Sequence, residues 1–548
     1  MSQDNPHAYL DQRQGQALEE LSAFVAIPSI AAQSAHAADV ARAARWVAAR
    51  MERAGIEAVQ LLPTALHPSV YGEWLHAPGK PTILIYGHFD VMPPGALHLW
   101  TTPPFAPDLR AGRLYGRGAT DDKGNMLIPI LAVEALLHTV GMLPLNVKFL
   151  FEGQEELGSP HMGPFVSERR ALLACDLAVN ADSGQASEEQ PIQLLGTRGI
   201  CGLEFALIGP NADVHSGQHG GSIQNPLHAI AELIASFHDA TGRVAVAGFY
   251  DDVLELSEAE RAALVTQPWD EATERAKLGI GAFYGEPGYT PREQTTIRPT
   301  LEINGIWGGY IGEGPMTVIP REARAKISCR LVAHQDPQRV LDCVIAHIEA
   351  HAPPGVTAEI TPYANLARAY HMPSDHTANT LVGDLLEALY GRNPLPTRTG
   401  GSVPILAFFH EHLGVHSVGF GLGLPDEVST APMSFSACRA SCAANMPTCG
   451  CWIGWRPGSL GRIKAPGRPH PRDQTHPPST RCGGYPVGAP GGCPGRSTPS
   501  PDAGRGGRTA CLPRRVFIIV SLTGRPRSRC SRLLQPPQRY AVERSRAN

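Results

Sequence analysis

Along the first 180 residues, short apolar runs ending in glycine or an acid alternate with longer stretches of helical spacing. Residues 14–30 and 38–55 repeat Leu, Ala, Val and Trp three and four apart, which predicts two amphipathic helices, the second closed at Gly55. Val59–Leu62, Ile83–Tyr86, Val147–Phe151 and Leu177–Asn180 are too short for helices and read as strands, with 83–86 and 147–151 buried. The strand at 83–86 is expected to stop at Gly87. A long apolar helix is expected over Met126–His138. Strands alternating with helices predict an α/β layer.

The residues just past each strand carry the chemistry. The 83–86 run leads into Gly87-His88-Phe89-Asp90-Val91. Alternation in an extended chain points His88 and Asp90 the same way, so one can bind a metal while the other braces it. Residues 147–151 end in Glu152-Gly153-Gln154-Glu155-Glu156, and 177–180 in Asp182-Ser183-Gly184. Adjacent carboxylates are costly to hold together unless a cation or proton neutralises them. A glycine-rich stretch, Gly116-Arg117-Gly118-Ala119-Thr120-Asp121-Asp122-Lys123-Gly124, opens the next helix. Helix capping is the ordinary use of such an Asp, but it accounts for one carboxylate more easily than two. Ligands in open α/β sheets bind at the carboxyl ends of strands. His88, Asp121, Glu155, Glu156 and Asp182 together on that edge make an oxygen-and-nitrogen site that suits zinc, manganese or cobalt. A carboxylate beyond the ligand count supplies the base that metal-assisted hydrolysis needs.

Composition narrows the rest. The chain has 548 residues and a formal charge of −4, which gives no reason to expect nucleic acid or a membrane surface as partner. No apolar run approaches the ~20 residues of a membrane span. The polar start, residues 1–14, lacks a signal-like segment, so the expected location is the cytoplasm. Cys175, Cys201, Cys329 and Cys343 are scattered as in a reduced enzyme, whereas the other eight of the twelve cysteines crowd beyond residue 427.

The succession Gly-His-Phe-Asp-Val, Gly-Arg-Gly-Ala-Thr-Asp-Asp-Lys-Gly, Glu-Gly-Gln-Glu-Glu-Leu-Gly-Ser and Asn-Ala-Asp-Ser-Gly resembles the di-zinc metallopeptidases, the family of carnosine dipeptidase, glutamate carboxypeptidase and acetylornithine deacetylase. The Trp100-Thr101-Thr102-Pro103-Pro104-Phe105 loop and Gly220-Gly221-Ser222-Ile223 place it nearest the dipeptidase branch, over roughly residues 10–427. The resemblance implies that Asp121 bridges two metal ions, zinc foremost. His88 and Asp182 would complete one, Glu156 would bind the second, Glu155 would be the general base and Asp90 would orient His88. It also implies an α/β/α catalytic domain with a mixed sheet, in two parts (1–196 and 366–427), interrupted by an inserted α+β lid over 197–365 that makes a homodimer. From that lid His215, in Val-His-Ser-Gly-Gln-His-Gly-Gly, would reach the partner protomer's site and polarise the scissile carbonyl; a plain turn residue between glycines is the alternative. Arg330 is a candidate for gripping a substrate carboxylate, with a surface ion pair as the alternative. Backbone N–H groups of Gly400, Gly401 and Ser402 are candidates for the same anion. Helices are expected at 227–237 and 378–390, a charged loop at 254–267 and a last strand at 415–420.

The pattern then breaks. The family places its last metal ligand in a His-x-Pro-Asn/Asp-Glu motif after this strand, but the chain reads Val428-Ser429-Thr430-Ala431-Pro432-Met433-Ser434 and has no His between Glu427 and His470. Joining the last base of each codon to the first two of the next permits His from Ser429-Thr430, Pro from Ala431-Pro432, Asn from Pro432-Met433 and Glu from Met433-Ser434. The missing motif returns in order, which points to a frameshift near residues 424–429. Residues 428–548, rich in Pro, Gly, Arg and Cys, are expected to be disordered; Cys438, Cys442, Cys449 and Cys451 fit zinc spacing poorly. The expectation is therefore a metal-dependent hydrolase of small peptides, weakened by loss of the last ligand. The alternatives are an N-acyl-amino-acid deacylase and a degenerate peptide- or metal-binding protein.

Overall fold

Helix Ala37–Arg53 buries Val40, Ala43, Ala44, Val47 and Met51, spaced three and four apart, and ends before Gly55, whose φ is +81°. Its apolar face packs on strands Glu57–Leu62 and Ser69–Trp74, the start of a six-stranded mixed sheet. The order continues through Asn146–Glu152, Thr82–His88, Leu177–Asn180 and Ser417–Gly419. The first three strands pair antiparallel and the last four pair parallel. This register matters for function: it points the carboxyl ends of 82–88, 146–152 and 177–180 to the same edge. Helices complete an α/β/α layering around one continuous core. Among them Lys123–Thr139 is buried on nearly every side and carries Pro129 within it. The computed structural model describes residues 5–427, apart from 111, 255–260, 262–268, 374 and 426, together with 437–439.

A second core lies in residues 201–348. Here Thr300–Gly308, Glu322–Leu331, Gly199–Ile208 and Thr357–Pro362 form a four-stranded antiparallel sheet in that order. Strand Glu322–Leu331 alternates strictly: Ala323, Ala325, Ile327, Cys329 and Leu331 are buried on the face covered by helix Pro226–Ser236, with Pro337–His351 packed on the neighbouring strand Gly199–Ile208. Its other face carries Arg324, Lys326, Ser328 and Arg330. Strands Ile192–Thr197, Tyr370–His371 and Leu395–Thr399 form a small sheet where the chain leaves and re-enters the first core.

Several expectations need correction. The 82–88 strand runs through Gly87 to His88. Glycine is required there by space, because a Cβ on it would meet Asp122 Oδ2 at 2.5 Å and Met126 Cβ at 2.9 Å. The helix expected to reach residue 30 is preceded by a separate helix, Pro6–Gln12, and ends at Val25, since Pro28 disfavours helix in the residue before it. The strand expected over 415–420 shrinks to Ser417–Gly419. The charged loop at 254–267 lies mostly outside the described residues. So does the tail expected to be disordered, except Ala437–Arg439, which pairs antiparallel with Arg113–Tyr115. Among the described residues no helix is long and apolar enough to cross a membrane.

Three helices of the first core meet at a buried cation. The side chain of Arg50 is 1% exposed, donates to Glu20 Oε2 at 2.7 Å and also pairs with Glu134 of helix Lys123–Thr139. Removing the guanidinium takes the buried partner from two poorly solvated carboxylates, leaving Glu134 to Arg13 and Tyr9 and Glu20 to Arg53 at 3.7 Å. Arg50→Ala is therefore expected to lower unfolding stability by about 3–5 kcal/mol, read from the urea midpoint. A loss below about 1 kcal/mol, the size of an exposed pair, would show that water already solvates these charges.

Candidate active site

Three parallel strand ends and one loop build the site. His88 closes its strand with its imidazole fully buried. Its Nε2 lies 3.1 Å from Asp121 Oδ1 and 3.9 Å from Asp182 Oδ2. One donor atom from each of His88, Asp121 and Asp182 falls within 4.8 Å of the others, tight enough for a single ion. On the far side of the ring, Nδ1 sits 3.1 Å from the Asp90 carbonyl oxygen and 3.4 Å from Asp90 Oδ1.

Asp90 does a second job. Its two carboxylate oxygens accept the backbone N–H groups of Glu155 and Glu156, both at 3.1 Å, and so seat the short turn Glu155–Leu157 against the strand that carries His88. Gly158, at φ +80°, closes that turn. Glu156 accepts the Met92 N–H through Oε1 at 3.1 Å. It stands outside the tight cluster of three, with Asp121 the neighbour whose charge acts on it most.

Sequence reasoning missed the part played by Asp122. It occupies the N-cap position of helix Lys123–Thr139 but makes no side-chain capping bond. Instead its buried Oδ2 accepts the His88 N–H at 3.0 Å, while Oδ1 has no hydrogen-bond partner. The only local signal was the second Asp itself, one carboxylate more than a helix cap uses; its contact beside Gly87 appears only in the fold. Lys123 is also wholly buried, donating to the carbonyls of Phe24 at 3.0 Å and Ile27 at 2.7 Å, and burial pushes its ammonium down to about 7.

The electrostatics of the cluster are those of negative charge awaiting a cation. Burial, reinforced by neighbouring carboxylates, holds the carboxyls of Glu155, Glu156 and Asp122 well above the ordinary range. Burial and Asp121 push Asp182 up to about 6. Burial works to lower the His88 pKa, but its bonds to Asp121 and Asp90 override that and favour the imidazolium. One imidazole, several carboxylates and no thiolate fit a divalent cation of the zinc, manganese or cobalt kind. A cation would also offset the crowding that raises these pKa values.

The remaining candidates surround this centre unevenly. Arg330 projects from the open face of its strand and donates through Nη1 to Ser402 Oγ at 2.8 Å, and Ser402 Oγ donates to Gly199 O at 3.1 Å. Burial lowers its pKa and the charge of Glu155 raises it, so guanidinium and candidate base share one field. The loop at Gly400–Ser402 is held from behind: Arg198 donates through Nε to Gly400 O at 2.9 Å and through its backbone N–H to Gly401 O at 3.1 Å. The Gly401 N–H, a candidate anion donor, is taken by Thr399 Oγ1 at 3.3 Å. A cavity of about 550 Å³ joins Asp121 and Asp182 to Gly400 and Gly401, and another of about 570 Å³ is lined by Arg198, Glu302 and Arg330. His215 is not brought to the metal cluster. It is exposed, accepts the Gly217 N–H through Nδ1 at 3.0 Å, lies 3.2 Å from Thr317 Oγ1 through Nε2 and pairs in register with Val318.

Parallel strand ends delivering carboxylates and imidazole to one edge of an α/β/α sheet define a metal-dependent hydrolase. Residues 84–437 match peptidase family M20/M25/M40, and the chain belongs to that family. It is 29% identical over 444 residues to the Cys-Gly metallodipeptidase dug1 of Schizosaccharomyces pombe, spanning 78% of this chain and 93% of that one. It is likewise 29% identical to the Beta-Ala-His dipeptidase of Rattus norvegicus, spanning 74% and 85%. Human carnosine dipeptidase 1 superposes with a TM-score of 0.70 at 26% identity over 82% of this chain and 98% of that structure. An M20 metallo-carboxypeptidase from Sulfolobus solfataricus gives 0.72 at 27% identity, over 80% and 98%. The expected resemblance and the α/β/α fold are both borne out, and the chain falls in the dipeptidase branch as a metallopeptidase.

The raised carboxyl pKa values have a measurable sign. Asp182 rises from about 3.9 unfolded to about 6 folded, so without metal it favours folding at low pH and loses that contribution as pH rises through 6. Relative to Asp182→Asn, the metal-free protein is expected to lose melting temperature between pH 4 and 7, and added zinc should reverse the trend. A pH-independent difference would mean that water screens this cluster.

Proposed function

We propose that the chain hydrolyses the peptide bond of dipeptides, and the convergence of His88, Asp121 and Asp182 with the Glu155–Glu156 turn carries this reading. In it, Asp121 would be shared between two divalent ions, zinc best matching the donors with manganese or cobalt as alternatives. His88 and Asp182 would hold one ion and Glu156 the other. The ions would supply Lewis acidity at the scissile carbonyl and make water acidic enough to act near neutral pH. Glu155 takes the proton of the attacking water and returns it to the leaving amine, its place fixed by the bond from its N–H to Asp90 Oδ1 at 3.1 Å. Asp90 fixes the His88 ring and the Glu155–Glu156 turn together. Arg330, with Ser402 beside it, receives the substrate's terminal carboxylate, which would select small free peptides. Relatives named for Cys-Gly and β-Ala-His hydrolysis support a dipeptide substrate.

His215 serves this site in our reading only across a homodimer, since within one chain it caps its own turn. Residues 197–365 would then be the inserted lid, between catalytic parts 1–196 and 366–427. Support comes from the edge strand Thr300–Gly308 and the loop after it, where Ile306, Trp307, Tyr310, Ile311 and Met316 are exposed, Ile311 by 91%. We infer further that residues 428–548 are read in a shifted frame. The family match ends at residue 437, close behind the composition break, and the ligand set closes one histidine short.

The deciding experiment compares the chain as given with one whose frame is restored after residue 427, on dipeptides and N-acetyl amino acids with zinc or manganese added. Restoration is expected to raise dipeptide turnover at least a hundredfold, and Glu155→Gln in the restored chain to remove most of it, on the order of 10³-fold. Turnover confined to N-acetyl amino acids would replace the dipeptidase reading, and equal activity in both frames would sink the frameshift account. Separately, Ile311→Asp is expected to shift the sedimenting species from dimer to monomer and to lower turnover with it. A monomeric parent protein would remove His215 from the site.

A further inference from the structure

Glu152 is fully buried, lies outside the proposed ligand set and stands three residues before Glu155. Its contacts reach both sides of His88. Its backbone oxygen accepts the Phe89 N–H at 2.9 Å, and its Oε1 accepts the Tyr86 hydroxyl at 2.6 Å. The same Oε1 accepts Ser159 Oγ at 2.9 Å, at the far end of the turn that carries Glu155 and Glu156. Ser159 is itself unusual: it is buried and holds φ +51°, a left-handed conformation uncommon for a residue with a Cβ. Its N–H returns to Gln154 O at 3.1 Å, so the turn closes on itself beside the residue bonded to Glu152. The carboxylate-bearing turn therefore hangs between two buried acids. Asp90 holds its first N–H groups, and Glu152 holds its last side chain.

We propose that Glu152 is a positioning residue: through Ser159 it sets the height of the Glu155–Glu156 turn above the strand end that carries His88. Burying a carboxyl whose Oε2 has no hydrogen-bond partner is costly, and an apolar residue would fill the space with less penalty. No apolar side chain can grip Tyr86 and Ser159 at once. The inference rests on the metal-site reading above, in which Glu156 is a ligand.

The test uses the full chain with Ser159→Ala, Glu152→Ala and Glu152→Gln. Zinc affinity is read by competition with a chromophoric chelator, and amide hydrogen exchange over 153–159 is read without metal. Ser159→Ala and Glu152→Ala are expected to weaken zinc binding about tenfold, the usual cost of removing a partner that orients a ligand, and to speed exchange at Glu155 and Glu156. Glu152→Gln, which keeps an acceptor at Oε1, should restore most of both. Unchanged affinity and exchange in Ser159→Ala, even with a lower melting temperature, would overturn the proposal and leave Glu152 a packing residue; this holds whether or not Glu152→Ala folds. If the parent chain binds no zinc, the metal-site reading fails, and exchange over the turn still decides the positioning role.

Discussion

The constraint on which this molecule depends is the repulsion among carboxyl groups gathered at one edge of a buried sheet. Asp90, Asp121, Asp122, Glu155, Glu156 and Asp182 converge on a single imidazole. No arrangement of neutral neighbours makes that favourable, and the raised pKa values of Asp122, Glu155, Glu156 and Asp182 register the cost. The sheet around it supplies the compensating stiffness. Parallel pairing of 146–152, 82–88 and 177–180 fixes the strand ends in register, and apolar runs on both sides keep them from relaxing toward water. Stability is thus spent to hold charges where only a cation makes them comfortable.

The second core solves a different problem with the same alternation. In strand Glu322–Leu331, every second residue is apolar and faces the covering helix. The residues between are polar because they face away, and Arg330 is the one nearest the cleft that shares a field with Glu155. A shift of one residue would bury the arginines and expose the alanines, so core packing fixes the guanidinium's direction. Arg330 donates to Ser402 Oγ, which donates to Gly199 O, while Arg198 donates to Gly400 O. The candidate recognition elements are therefore held in a chain of side-chain hydrogen bonds, and Arg330 is not an isolated flexible side chain.

Much of this was legible in the sequence because strand ends are punctuated. A short apolar run followed closely by an acid or His tells both where the strand lies and where its chemistry begins; His88 and Asp182 were found that way, and Asp121 from the glycine-rich stretch that opens a helix. What was not legible depended on contacts distant along the chain. Nothing local to Asp122 says that its carboxylate takes the His88 N–H, because Gly87 lies 35 positions earlier. Glu152 looked like the tail of a strand, and its role needs Tyr86 and Ser159 together. The Gly400–Ser402 loop looked like an anion nest, but the Gly401 N–H is satisfied within its own turn. His215 is the sharpest case, since its neighbours in one chain make it a capping residue.

Ordered packing also extends up to the point where the sequence changes character. Glu427 is buried and its Oε2 accepts both the Thr120 hydroxyl and the Leu424 N–H at 3.0 Å, tying residues 424–427 to the loop that carries Asp121. Ser183 and Gly184 meet Gly423 from the Asp182 side. Both proposed ligand loops therefore brace the segment after which the family's last histidine would stand. A chain under no demand to hold that histidine has little reason to keep a buried carboxylate aligned there. Under the proposed frameshift, this packing would be the support on which the histidine lacking between Glu427 and His470 would rest.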